Sequence, residues 1–188
     1  MQHFKLELHL NSRKNDVDDL IRRSIKGDGR AQQALYQLLA PKMFSVCKRY
    51  MGDTEAAEDV LQDGFVTLFS KLDSYSGEGS FEGWARKIFV NTALMSLRRN
   101  DVLKESDDVS EAWGLAGDDP GAIGDIGYKE LMALVEELPT GFRTVFNMYV
   151  VEGYSHKEIA EELGISENTS RSQLQRARML LQRKIKEL

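Results

Sequence analysis

The chain has 188 residues, 41% of them apolar and 29% charged, with a formal net charge of −5, which suffices for one or two small cores. It has no run of about 18 apolar residues of the kind a membrane helix needs, and residues 1–11 lack a signal-peptide core, so a cytoplasmic protein without membrane insertion is expected. The single cysteine, Cys47, excludes internal disulfides and a thiolate zinc cluster, and His3, His9 and His156 have no metal-ligand spacing.

Residues 1–15 place Phe4, Leu6, Leu8 and Leu10 in alternation with polar residues. With no partner strand in the sequence, it fits either an edge strand paired with another molecule or a disordered leader, and the leader is the preferred reading. From about Asp16 the period becomes helical. A first helix over 18–26 is closed by Gly27-Asp28-Gly29. Ala31, Ala34, Leu35 and Leu38 predict a helix over 30–39, and Pro41 predicts the start of a separate one reaching about Tyr50. Cys47 shares the stripe Met43, Val46, Cys47, Tyr50, so its thiol belongs to a core. A helix over 54–72 buries Leu61, Phe65, Leu68 and Leu72, each worth roughly 1.5 to 3 kcal/mol. Its opposite side carries Asp59, Gln62, Asp63 and Val66 at i, i+3, i+4, i+7. An acidic and amide surface holding one aliphatic residue reads as a protein docking face.

The polar loop 73–80, D-S-Y-S-G-E-G-S, leads into a helix over 81–100. There Trp84, Ile88 and Met95 predict the core stripe, and Lys87, Asn91, Leu94 and Arg98 share a neighbouring face. Arg86, Lys87, Arg98 and Arg99 against Glu82 make this helix +3. The composition then changes: between Asp101 and Asp125 eight acids face one base, Lys104, for a charge of −7. With its glycines and Pro120, the segment 101–126 reads as a flexible linker, so the acidity of the chain resides in its tether.

The second module, 127–188, begins with Leu131, Leu134, Val135 and Leu138 on a helix stopped by Pro139. Phe142, Val145, Phe146 and Tyr149 then form the apolar face of a helix ended by Gly153. Ser155 and Glu158 form a capping box that starts a helix at His156, with Ile159, Ala160 and Leu163 inward and Gly164 just past its end. Ser166 caps the last helix, whose stripe is Leu174, Ala177, Leu181, Ile185. Two helices joined by so tight a turn make a helix-turn-helix. From Glu167 onward six Lys or Arg oppose two Glu, a +4 patch that suits phosphate neutralisation by a helix in a major groove.

Paired acids such as Glu161-Glu162 and Asp118-Asp119 stand without a His or Cys cluster or a phosphate loop, so an enzyme, a metal and a cofactor are not expected. The run from Glu136 to Arg178 resembles the −35-binding domain of extracytoplasmic-function (ECF) sigma factors of bacterial RNA polymerase. The run A-A-E-D-V-L-Q-D-G-F-V-T-L-F-S-K-L-D-S-Y, followed by F-E-G-W-A-R-K-I-F-V-N-T-A-L-M-S-L-R-R, resembles that family's −10-binding domain. The resemblance covers roughly residues 20–100 and 127–185, and implies an all-α chain of two small helical domains, 16–100 and 127–188.

That resemblance implies roles. Asp59, Gln62, Asp63 and Val66 would dock on the β′ clamp of the polymerase core, with the β flap as a further contact. Tyr75, Ser76, Gly77 and Ser80 lie where the family captures a −10 base turned out of the duplex, an extrusion costing a few kcal/mol. Lys87, Asn91, Arg98 and Arg99 would hold DNA backbone there; Trp84 would lie near the unwound strand or, as its stripe position favours, in the core. Thr169, Arg171, Ser172, Gln175, Arg176 and Arg178 would meet the −35 element. Ser170 departs from the family, which places an aliphatic at the head of that stripe. An anti-sigma factor is the expected partner besides core polymerase and promoter DNA. A linker of about 25 residues spans roughly 25 to 30 Å relaxed and 80 to 90 Å extended, so it bridges elements on the order of 70 Å apart only when drawn out. The competing reading, a stand-alone helix-turn-helix activator, leaves the first basic helix and the Val66 face without a purpose.

Overall fold

The computed structural model describes residues 16–99 and 127–188, and among these every regular element is helical. The expected leader and linker lie outside the described residues. In chain order come α1 (16–25), α2 (Gly29–Met51), α3 (Thr54–Ser70), a 3-10 turn (Leu72–Ser74) and α4 (Phe81–Arg99). There follow α5 (Tyr128–Glu136), α6 (Thr140–Phe146), a π-type turn (Asn147–Val151), α7 (His156–Leu163) and α8 (Glu167–Lys186). Two compact units form: residues up to Val46 with Glu58–Thr92, and Cys47–Ala57 with Ala93–Leu188.

The expectation of a helix break at Pro41 is overturned, because α2 runs through it. Ala31, Leu35, Leu39, Met43, Val46, Cys47 and Tyr50 are all buried and keep one helical phase across the proline. Pro41 sits on the exposed side, where its missing N–H bond costs least, and Ser45 Oγ donates to the Pro41 carbonyl at 3.0 Å. Leu39, not the expected Leu38, occupies the core; Leu38 is 46% exposed. On α3, Phe65, Leu68 and the adjoining Leu72 are buried as expected.

On α4 the expected stripe is displaced. Phe81, Ala85, Phe89, Val90, Ala93, Leu94 and Leu97 are buried, whereas Met95 is 56% exposed and Trp84 and Ile88 are half-buried. The reason is a close approach of α3: a Cβ on Gly64 would stand 2.4 Å from the Phe89 ring. The glycine is therefore a socket for Phe89, and that fit selects which apolar phase of α4 turns inward. Phe65 packs edge-on against the same ring at 5.0 Å. Gly64→Ala should gain helix propensity yet lose about 1–3 kcal/mol net by overpacking a ring that cannot retreat, read as a lower midpoint of denaturant unfolding.

The second unit is organised around Val135, Leu138, Phe142, Val145, Phe146, Met148, Ile159, Leu174, Ala177 and Leu181, all buried. The π-type turn after Phe146 adds one residue to the helical register. It carries Met148 inward and leaves Tyr149, expected on the apolar face, 37% exposed. Arg143 is buried and all its donor nitrogens are used. Nε donates to the Tyr50 carbonyl at 3.0 Å, and Nη1 to those of Glu136 and Leu138 at 2.9 and 3.0 Å. Nη2 donates to the Met51 carbonyl at 2.8 Å and to Thr140 Oγ1 at 3.4 Å. Asn147 Nδ2 donates to the Arg49 carbonyl at 2.8 Å. Carbonyls left over at the ends of α2 and α5 are thus closed by side chains. Burial pushes the Arg143 pKa down, against the pull of Glu136, but a guanidinium stays charged in proteins. Arg143→Lys supplies one ammonium for five acceptors and should cost about 3 kcal/mol or more, visible as loss of the C-terminal unfolding transition.

The last two helices are punctuated as expected. Ser155 N–H donates to Glu158 Oε2 at 2.8 Å, while Glu158 N–H donates to Ser155 Oγ at 3.2 Å. Gly164 adopts φ +67°, the left-handed conformation that closes α7. Ser166 Oγ accepts from Thr169 N–H at 2.9 Å. The bonds from Ser155 hold the Glu158 carboxyl below the usual carboxylate range. Its folded pKa is depressed, so the stability it adds is present above its unfolded pKa and is lost as pH falls through the folded value. Glu158→Gln should therefore blunt the acid sensitivity of helix content below about pH 4.5, measured by circular dichroism.

Candidate nucleic-acid and protein interfaces

Three surfaces carry the expected residues, and each is described on its own. The first is α8. Leu174, Ala177 and Leu181 hold it down, and Ser170 and Gln173 are buried with them. Arg171 and Gln175 are exposed; Thr169, Ser172, Arg176 and Arg178 are half-buried. Arg171 Nη2 donates to Glu167 at 2.8 Å, an exposed i, i+4 pair of small worth that a phosphate or base edge can replace. Ser172 Oγ donates to the Thr169 carbonyl at 2.9 Å, and Thr169 Oγ1 lies 2.9 Å from the capping hydroxyl of Ser166. Thr169 and Ser172 thus help to build the start of α8 as well as line it. Among the described residues no hydrogen bond engages Gln175 or Arg176.

The second surface is the loop before α4. Tyr75 stands 5.3 Å from the Phe81 ring and 5.4 Å from that of Trp84, and Phe81 and Trp84 stack at 5.8 Å with planes 20° apart. Trp84 is therefore not the core residue its stripe suggested: it is half-buried in an aromatic platform. Tyr75 Oη–H donates to the Gly79 carbonyl at 3.2 Å, and Ser76 Oγ accepts from Glu78 N–H at 3.3 Å. Gly77 and Gly79 take φ +79° and +74°, which only glycine adopts without strain. Ser80 Oγ accepts from Gly83 N–H at 3.3 Å and so starts α4. A ring platform under a turn whose polar groups face water can stack a base. Sequence spacing missed Phe81, which sits at the helix start and reads as core; only the fold shows that its ring also contacts Tyr75.

Along α4, Lys87, Asn91, Arg98 and Arg99 are exposed, but Leu94, expected among them, is fully buried. About three turns, roughly 16 Å, separate Lys87 from Arg98 on that side of the helix, so the two can meet different phosphates of one duplex. Arg98 lies 3.5 Å from Glu162 of α7, both 44% exposed.

The third surface is on α3, where Asp59, Gln62, Asp63 and Val66 are all exposed, Val66 at 68%. Asp59, Gln62 and Val66 edge a groove of about 770 Å³ whose floor is Tyr36, Phe44, Phe65 and Phe69. Tyr36 packs on Phe65 with centroids 4.5 Å apart. The groove aromatics from α2 were not anticipated; the signal was Tyr36, a large ring one position off the buried stripe of that helix. An apolar floor with an acidic and amide rim is suited to a partner helix bearing both apolar and basic residues.

The α8 surface and the α4 surface fall within two family matches. Residues 35–102 match Sigma-70 region 2 and residues 128–181 match Sigma-70, region 4. The ECF RNA polymerase sigma-E factor of Escherichia coli (strain K12) is 29% identical over 180 residues, covering 90% of this chain and 94% of that protein. The RNA polymerase sigma-H factor of Pseudomonas aeruginosa (strain PAO1) is 28% identical over 182 residues, covering 90% and 93%. A solved structure of CnrH with the cytosolic domain of CnrY is similar at 21% identity, covering 89% of this chain and 96% of that one with a TM-score of 0.47. With regions 2 and 4 in order and relatives matched along nearly their whole length, the chain belongs to the sigma-70 family, in its extracytoplasmic-function branch, and has the non-enzymatic role of a sigma factor in transcription initiation.

Proposed function

We propose that this sigma factor binds bacterial RNA polymerase core and selects promoters by gripping −35 DNA with α8 and −10 DNA with the loop and basic face that open and follow α4. The observation that carries the reading is one chain presenting two separate basic surfaces, one within the region 2 match and one within the region 4 match, beside a third surface that is apolar and acid-rimmed. Nucleic acid does not explain that third surface, whereas a polymerase subunit does.

The division of labour follows from the side chains. Arg176 and Gln175 project donors suited to base edges, and an arginine held bidentate on guanine is worth about 1–3 kcal/mol of discrimination. Lys87, Arg98 and Arg99 act as point charges on phosphates and set register without reading sequence. Tyr75, Ser76, Gly77 and Ser80 receive a base lifted from the −10 element onto the Tyr75–Trp84 platform, where stacking repays about 1–3 kcal/mol of the unstacking cost. Asp59, Gln62, Asp63 and Val66 clasp the β′ clamp. Region 4 adds a contact to the β flap. Two weak grips on one duplex gain from being tethered, since each raises the effective concentration of the other. The protein would act in the cytoplasm, where an anti-sigma factor, expected of ECF proteins, would regulate access to these surfaces.

Run-off transcription with bacterial core polymerase on a randomised promoter pool is the direct test. Initiation from a shared pair of elements is expected; no initiation with core alone returns the protein to the activator reading. On a selected promoter, Arg176→Ala should relax base choice at one −35 position by roughly 5- to 150-fold. Arg98→Ala should instead weaken binding on all sequences and lower the salt slope by about one. Equal effects of the two changes on every promoter would refute the division proposed.

A further inference from the structure

Helix α8 carries a hydroxyl at the head of an otherwise apolar inner stripe. Ser170, Leu174, Ala177 and Leu181 share one face, and Ser170 is completely buried. A hydroxyl is tolerated in such a place when it is hydrogen-bonded. Its partner is the ring of His156, whose Nδ1 stands 2.9 Å from Ser170 Oγ. Tyr149 holds the same ring from another side, with centroids 4.5 Å and planes 22° apart. His156 is the first residue of α7 and is itself fixed by the capping box just before it. A continuous line of contact therefore runs from the turn before the helix-turn-helix, through α7, into the first turn of α8.

Apolar contacts are non-directional, and on their own they let a helix roll slightly about its axis. A 2.9 Å bond to a clamped ring does not. Ser170 lies between Thr169 and Arg171, so the roll that this bond fixes is the one that aims Arg171, Ser172, Gln175 and Arg176. We propose that His156 and Ser170 form a positioning couple that sets the rotation of α8 and thereby the base discrimination of the helix-turn-helix. The proposal rests on reading α8 as the −35 recognition helix, and both residues act through α8 without touching DNA.

The imidazole works neutral. Burial holds the His156 pKa below its ordinary value, and Arg171 and Arg178 of α8 push the same way against Glu167. The positive end of α7 adds to this, and the Tyr149 ring faces the imidazole in a stacked contact. Discrimination is therefore level above neutrality and declines as pH falls through the lowered His156 value, once a protonated Nδ1 can no longer accept from the Ser170 hydroxyl.

The test uses the full chain bound to core polymerase. Its probe is a duplex recovered by that holoenzyme from a randomised promoter pool, compared with the same duplex carrying a scrambled −35 element. Ser170→Ala should lower the affinity ratio of the two probes about tenfold, the scale of one base contact, with binding to the scrambled probe within about twofold. Ser170→Val, which refills the site with an aliphatic and keeps the helix packed, should lose the same discrimination. His156→Asn, which offers Oδ1 in place of Nδ1, should keep the wild-type ratio and abolish its decline at low pH. An unchanged ratio in both Ser170 variants, or an equal loss in His156→Asn, overturns the proposal. A wild-type holoenzyme that does not distinguish the probes refutes the recognition reading instead. The couple is then judged in the free protein by imidazole 15N resonances: a shift of the Nδ1 signal in Ser170→Ala supports it, and an unmoved signal overturns it.

Discussion

The second unit depends on how one buried cation is satisfied. Arg143 is placed where no carboxylate forms a fork with it; its five donors go to four main-chain carbonyls and one threonine hydroxyl. Each of those carbonyls stands at or just past a helix end, where the backbone has no partner of its own. One side chain thus solves two desolvation problems together, its own and that of the helix ends. The arrangement constrains its neighbours: a Cβ on Gly52 would stand 2.5 Å from Nη1, and the residue takes φ +73°. Beside it Arg49 and Glu152 pair at 3.1 Å with side chains 8% and 9% exposed. Such pairs fix geometry more than they add stability.

The first unit is held by the opposite means. There a ring enters a helix where a side chain is missing, Phe89 against Gly64, and the aromatic contacts spread outward to Phe65 and Tyr36. Dispersion between close-packed rings tolerates no gap, so the seat of Phe89 decides which residues of α4 face inward. The exposed rings at the edge of the same cluster form the groove beside Val66. Core packing and the proposed partner surface are consecutive layers of one aromatic cluster.

The proposed nucleic-acid surfaces follow a different logic. Several of their charged groups are exposed and weakly engaged, as with Arg171 on Glu167 and Arg98 on Glu162. Exposed pairs exchange readily with phosphate. What must be exact is the backbone beneath them, which is why the helix starts carry Ser80, Ser155 and Ser166 as caps and why the loop carries Gly77 and Gly79. Charge supplies affinity, and capped, packed helices supply aim.

By itself the sequence determined whatever repeats locally: the Ser155–Glu158 box, the glycine stop at Gly164, the cap at Ser166, and the exposed faces of α3 and α8. These are set by backbone hydrogen bonds and periodicity within a few residues. The family resemblance, carried by two such stretches in order, came from the same signal. Tertiary structure alone decided between competing apolar phases, so it turned Phe89 inward and Met95 outward on α4, and chose Leu39 over Leu38 on α2. It carried α2 through Pro41, since a continuous buried face outweighs one lost N–H bond on the wet side. It also brought Trp84 to Tyr75, and Arg143 to the end of α2. Periodicity shows that a residue is apolar or charged at a given angle. Which surface waits at that angle is fixed by shape complementarity between distant segments, which no local window contains.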